Sequence, residues 1–104
     1  MDGMAWATSA MVAARRRLEI ATENLANVSS EGFRRVVARG SLTASGVTIA
    51  GERAQPVPHL PSNVDAIAEM IDVLAAERSF ESAQKAVTAI DRSSQKAAEA
   101  ARVA

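Results

Sequence analysis

Cysteine and tyrosine are absent from this 104-residue chain, and it holds only one tryptophan, two phenylalanines and one histidine. Without cysteine there are no disulfides and no thiolate metal sites. His59 has no second imidazole with which to share a metal, and its place among Pro56, Pro58 and Pro61 reads as a loop histidine. Aromatic residues make up 3% of the chain, which leaves almost nothing on which a nucleic-acid base can stack. Twelve basic and twelve acidic residues cancel, which removes the global pull expected of a dedicated nucleic-acid binder. No segment approaches the roughly 18 unbroken apolar residues of a membrane span. A cleavable secretory leader is also missing from the pattern: Asp2 stands where a basic leader belongs, and Arg15-Arg16-Arg17 follows the first apolar stretch instead of preceding it. Any export is therefore expected to use a route that does not cut off such a leader.

What the chain has is alanine, and with it two helix seams. Hydrophobic residues reach 48% of the sequence, much of it alanine, which lets helices approach closely but buries little area. Met4, Ala7, Met11, Ala14, Leu18, Ala21, Leu25 and Val28 step by alternating threes and fours. Phe80, Ala83, Val87, Ile90, Ser94, Ala97 and Ala101 do the same at the other end. That period belongs to helices that wrap around other helices. The fold class that follows is mainly α: two long terminal helices paired as an antiparallel, coiled-coil-like hairpin, joined by a short irregular segment able to form a small β-hairpin.

The boundaries read as 1–32 for the first helix and an Asn/Gly turn, 33–61 for the linker, and 62–104 for the second helix, all within one inner-core domain. The first helix is expected over Gly3 to Ala26, with Arg15, Arg16, Glu19 and Glu23 on its polar face. Asn24, Asn27 and Gly32 are expected to set the turn, through an amide on helix-end carbonyls or a left-handed backbone. Val36-Val37 and Val47-Thr48-Ile49 are the candidate strands. Ser62-Asn63-Val64-Asp65 fits a capping box with Ser62 as the cap. From there a helix without Gly or Pro runs to about Arg102. A first helix of about 36 Å cannot cover a second of about 57 Å. The stretch from Val64 to Ala76 is also apolar on more than one side, so its missing neighbours are expected from other subunits.

Rival classes find little support. Asp65, Glu69 and Asp72 recur near helical spacing but have no nucleophile, phosphate loop or adjacent base, and read as a solvated or partner-paired face. No catalytic residue, cofactor or metal site is expected, and the chain is not expected to be an enzyme. Arg15-Arg16-Arg17, Arg34-Arg35 and Arg39 are diluted by Glu19, Glu23 and Glu31, so no nucleic-acid partner is expected. A helical-hairpin adaptor or a secretion chaperone, with Trp6, Met4 and Met11 as a docking stripe, remains the alternative.

Asn24-Leu25-Ala26-Asn27-Val28-Ser29-Ser30-Glu31-Gly32-Phe33 resembles the Asn-x-Ala-Asn-x-x-[Ser/Thr]-x-Gly-[Phe/Tyr] signature of bacterial flagellar basal-body rod, hook and hook-associated proteins. Downstream, Ser62, Asn63, Val64 and Asp65, then Glu69-Met70, then Arg78, Phe80 and Glu81 resemble the family's C-terminal pattern, with Glu77 where glutamine is common. The short middle makes the chain most similar to the small proximal rod proteins, which lack outer domains. The resemblance implies a structural rod subunit that stacks helically around an export channel, transmits torque, and leaves the cell uncleaved through the flagellar type III apparatus to form part of the periplasmic rod. It implies as partners other axial proteins, ring or export-gate components, and self or paralogues in a helical array, with no direct membrane span. Subunit packing is then expected at Met4, Met11, Leu18, Leu25, Ile67, Ile71, Leu74, Val87 and Ile90.

Overall fold

In the computed structural model, which describes residues 3–103, two helices flank one antiparallel hairpin: α1 Gly3–Ala26, β1 Val37–Thr43, β2 Gly46–Glu52 and α2 Ala66–Val103. The chain is drawn out to 72 × 25 × 13 Å, with a radius of gyration of 18.7 Å. A compact chain of this length would have a radius near 13 Å, so the helices set the shape.

The helices lie side by side and run in opposite directions. A Cβ on Gly3 would stand 3.5 Å from the Ile90 side chain, while Ile20 and Ala21 share a cleft with Glu69 and Ala76. The seam is built from two heptad series on each helix. Ala7, Ala14 and Ala21 on α1, and Glu69, Ala76 and Ala83 on α2, form the buried side. Met4, Met11, Leu18 and Leu25, with Ala66, Val73, Phe80 and Val87, form the other side, and all of these are only half-buried. Alanine at every small position permits close approach, and the bulkier flank stays partly open. Because α1 starts opposite Ile90, the last stretch of α2 from Asp91 to Val103 projects alone, with every residue exposed.

The hairpin lies against a different side of α1. Its Ala38 and Ile49 pack with Val64 on a small cluster of Ile20, Phe33 and Val36. The opposite face is polar and solvated, with Ser41 and Thr48 hydroxyls 2.8 Å apart and Arg39 paired to Glu52. Both strands are longer than Val36-Val37 and Val47–Ile49 predicted, because Gly40 and Gly51 sit inside them. Their lack of a side chain has a use: a Cβ on Gly51 would meet Val36 at 2.9 Å and the Arg16 guanidinium at 3.1 Å.

The start of α2 differs from the expected capping box. Asp65, not Ser62, is the cap: its Oδ1 accepts the backbone N–H groups of Ile67 and Ala68 at 3.0 and 3.2 Å, and α2 begins at Ala66. Ser62 Oγ accepts from the Val64 N–H at 3.3 Å in the turn before it. The physical reason is that Asn63 is held elsewhere, by Arg35 and Phe33, which keeps residues 62–64 extended.

Candidate functional site

Two side chains of α1 act as substitute strand partners. Asn24, fully buried, donates through Nδ2 to the Val36 carbonyl at 2.9 Å and accepts the Val36 N–H through Oδ1 at 2.7 Å. Ser9 does the same for Val47, accepting its N–H at 2.7 Å and donating to its carbonyl at 3.0 Å. Both ends of the hairpin are thus clipped to α1 with no backbone polar group left over at either clip.

Between these clips and α2 lies the turn. Asn27 donates its amide to the Glu23 carbonyl at 2.8 Å, and Ser30 donates to Asn27 Oδ1 at 2.9 Å, so the end of α1 is closed by side chains. Of the two ways Asn27 was expected to act it uses the amide, since the left-handed backbone falls to Gly32 with φ of 79°. Gly32 N–H donates to Leu60 O at 2.7 Å and its carbonyl accepts from Val57 N–H at 3.1 Å, which ties the turn to the proline-rich segment that returns the chain to α2. A Cβ at Gly32 would stand 3.0 Å from the Val57 carbonyl oxygen. Ala26, inside the same motif, is exposed. Phe33 is buried, with the Arg53 guanidinium 5.4 Å above its ring. His59 carries φ of 69° at the tip of the return, where its Nδ1 lies 3.7 Å from Glu31.

The two motifs meet in an ion-paired junction that the sequence pattern did not reveal. Glu69, read as part of a solvated or partner-paired face, is only 1% exposed; its Oε1 accepts from Arg35 Nε, and Arg35 Nη2 reaches Asp72 Oδ2 at 3.3 Å. The hydrogen bond to Glu69 leads in raising the Arg35 pKa above its ordinary value, against the opposing effect of burial. Arg34 donates to the Pro61 carbonyl, and the Arg35 N–H to Asn63 Oδ1. Asn63 N–H closes the frame on Phe33 O at 3.3 Å. The residues after Gly32 are therefore stitched to the residues before α2. Of the arginines that suggested a phosphate-binding cluster, Arg35 is taken up by this junction, Arg15 and Arg16 by Glu19, and Arg39 by Glu52.

The expected packing residues divide into two sets. Met4, Met11, Leu18, Leu25, Val87 and Ile90 are half-buried along or beside the intramolecular seam. Ile67, Ile71 and Leu74 are instead exposed by 72, 60 and 58%, on the side of α2 opposite Glu69 and Ala76, and Met70 of the C-terminal motif joins them at 53%. Farther along α2, Arg78 and Glu81 are exposed and Phe80 is half-buried in the seam. Among the described residues no group of three or more His, Cys, Asp or Glu side chains is placed to hold a metal, and no helix is long and apolar enough to cross a membrane.

A two-helix seam braced by a clipped hairpin, with Asn24, Asn27, Gly32, Asn63 and Glu69 of its motifs holding the chain's own segments together, defines a structural helical-hairpin protein. Residues 4–34 match the family described as flagella basal body rod protein, and residues 61–100 match the family described as flagellar basal body rod FlgEFG protein C-terminal. The chain belongs to the flagellar basal body rod protein family, as the resemblance of both motifs implies, and is a structural rod component. Its place is the basal body, among other basal-body proteins. No curated protein matches the chain.

Proposed function

We propose that this chain is a subunit that polymerises helically within the rod, where its paired helices transmit torque and line the export channel. It reaches the periplasmic rod uncleaved, through the flagellar type III apparatus, and its neighbours are further rod subunits, paralogous or identical, and ring or export-gate components.

The observation that carries this reading is the row Ile67, Met70, Ile71 and Leu74, exposed on the side of α2 that faces away from α1. Four large aliphatic side chains within two helical turns form a contiguous patch of the kind that marks a protein contact. The bare end of α2 from Asp91 to Val103 adds a second uncovered length. Contacts of this kind, made by one face of a subunit with a different face of the next, generate open helical arrays.

An adaptor or secretion chaperone would use the same surfaces but stop at a closed complex. Complementation separates them: in a strain lacking the native gene, wild-type chain is expected in basal-body fractions and restores swimming on soft agar. Recovery of the chain only in soluble one-to-one complexes would transfer the case to the adaptor.

A further inference from the structure

The seam that α2 offers to α1 does not stop where α1 stops. Val87 and Ile90 are half-buried in it, and the same face of α2 continues through Ser94, Ala97, Ala98 and Ala101, all exposed. Gly3 begins α1 opposite Ile90, so this length of seam has lost its partner while keeping its small side chains. On the first third of α2 the row Ile67, Met70, Ile71 and Leu74 presents the converse surface, large side chains with nothing over them. Both strips step along the helix by three, one and three residues. Equal spacing seats the side chains of one strip in the gaps of the other along their whole length, and serine and alanine leave the room that large aliphatic groups need at close helix approach.

We infer that the projecting end of α2 in one copy of this chain lies along the exposed aliphatic row of a second copy, the two helices running parallel. Ser94 then meets Ile67, Ala97 meets Met70, Ala98 meets Ile71 and Ala101 meets Leu74. Sterics fix the direction: run the other way, the second copy's α2 would pass beyond Leu74 into the line already held by the first copy's α1. Run parallel, it starts at Ala66 just past the Gly3 end of that α1 and carries its line onward. Charge agrees with the same register. Arg102 falls on the flank that meets Glu77 of the second copy, and both residues are exposed with no ion-pair partner among the described residues. At the other end Asp91 and Arg92 come level with Asp65 and offset each other. Successive copies keep one direction at a stagger of about 40 Å. Each offers one strip and one row, so the contact is head-to-tail and the array stays open. This inference names the partner surface for the polymerising reading above and rests on it.

Because the chain has no cysteine, Met70→Cys and Ala98→Cys introduced together supply its only thiols. The variant is expressed in the strain lacking the native gene, and basal-body fractions are treated with a short bifunctional thiol reagent. A ladder of multimers of the subunit is expected, absent when Thr88→Cys, about 15 Å back along α2, replaces Ala98→Cys. In the chain without added thiols, Arg102→Glu is expected to lower incorporation about threefold, and adding Glu77→Arg to restore it. Incorporation of the double variant without a ladder overturns the inference while leaving polymerisation intact, as does a product with a protein of different mass. If the double variant is not incorporated, the charge pair decides: no loss with Arg102→Glu, or no rescue by Glu77→Arg, overturns the inference. Absence of the wild-type chain itself from basal bodies overturns the polymerising reading and this inference with it.

Discussion

The two sides of the first half of α2 are built from opposite materials. The side against α1 buries Glu69, Ala76 and Ala83, two of the smallest apolar residues and an ion-paired acid. The side away from it holds Ile67, Met70, Ile71 and Leu74 in solvent. An ordinary small domain would arrange these the other way, since burying a large aliphatic side chain contributes about 1.5–3 kcal/mol and a methyl far less. The lesson is that intramolecular packing here favours proximity and register, while the larger aliphatic side chains of this stretch of α2 are left uncovered within the chain. Polar clips compensate in part, because Asn24, Ser9 and Arg35 hold the segments in place where the apolar area is too small to do so.

The sharpest way to break this comparison is to charge the outer side. Ile71→Asp, at a position 60% exposed, spares the buried side of α2 but puts a carboxylate into the proposed contact. It is expected to cost about 3 kcal/mol or more there, a loss of at least about a hundredfold in incorporation, scored by blotting basal-body fractions. Normal incorporation would remove the outer side from the account. Phe80→Ala tests the flank between the two sides: as a half-buried aromatic in the seam it is expected to block incorporation as well, at up to about 3 kcal/mol.

Next in size is the inner side's polar support. Asn24→Ala strips both backbone groups of Val36 of their partner, and about 2–3 kcal/mol is expected from leaving them buried and unpaired. Amide exchange across Val36–Glu52 should accelerate, while exchange in the middle of α1 changes less. Gly32→Val follows, because φ of 79° and a Val57 carbonyl at 3.0 Å oppose any side chain, with about 1–2 kcal/mol from the backbone alone. Assembly is expected to fall while cellular abundance stays similar, and normal motility would argue against a structural turn. Smallest is Glu52→Ala, whose exposed pair with Arg39 is worth about 0.5 kcal/mol or less. It should swim as wild type. Arg53→Ala is expected to cost slightly more, since Arg53 also covers Phe33.

The seams were legible from Met4 to Leu25 and from Phe80 to Ile90, with their antiparallel pairing, because a heptad records its own partner face, whereas Val28, Ser94, Ala97 and Ala101 of the same series are exposed; α1 spans the same Gly3–Ala26 that its alanine run and the following Asn-Val-Ser-Ser predicted. Local turn chemistry was legible in kind: Asn27 and Gly32 are the residues that close α1 and take the left-handed backbone. Less of the site could be read where a contact joins distant segments. The pairing of Ser9 with Val47 spans 38 positions, and that of Arg35 with Glu69 spans 34, and neither leaves a periodic trace. Glu69 was therefore grouped with Asp65 and Asp72 by spacing alone, although only Glu69 is buried. The cap moved from Ser62 to Asp65 for the same reason, since the pull of Arg35 on Asn63 is invisible in a local motif.

The central claim is that this chain is a part whose fold is completed by its neighbours. Circular dichroism on the purified chain, melted at low micromolar concentration with its monomeric state verified by sedimentation, tests it most directly. The account predicts weak helix signal without a cooperative transition, rising as concentration is increased and copies cover one another's exposed aliphatic side. A strong helix signal and a sharp, concentration-independent thermal transition in the monomer would contradict it.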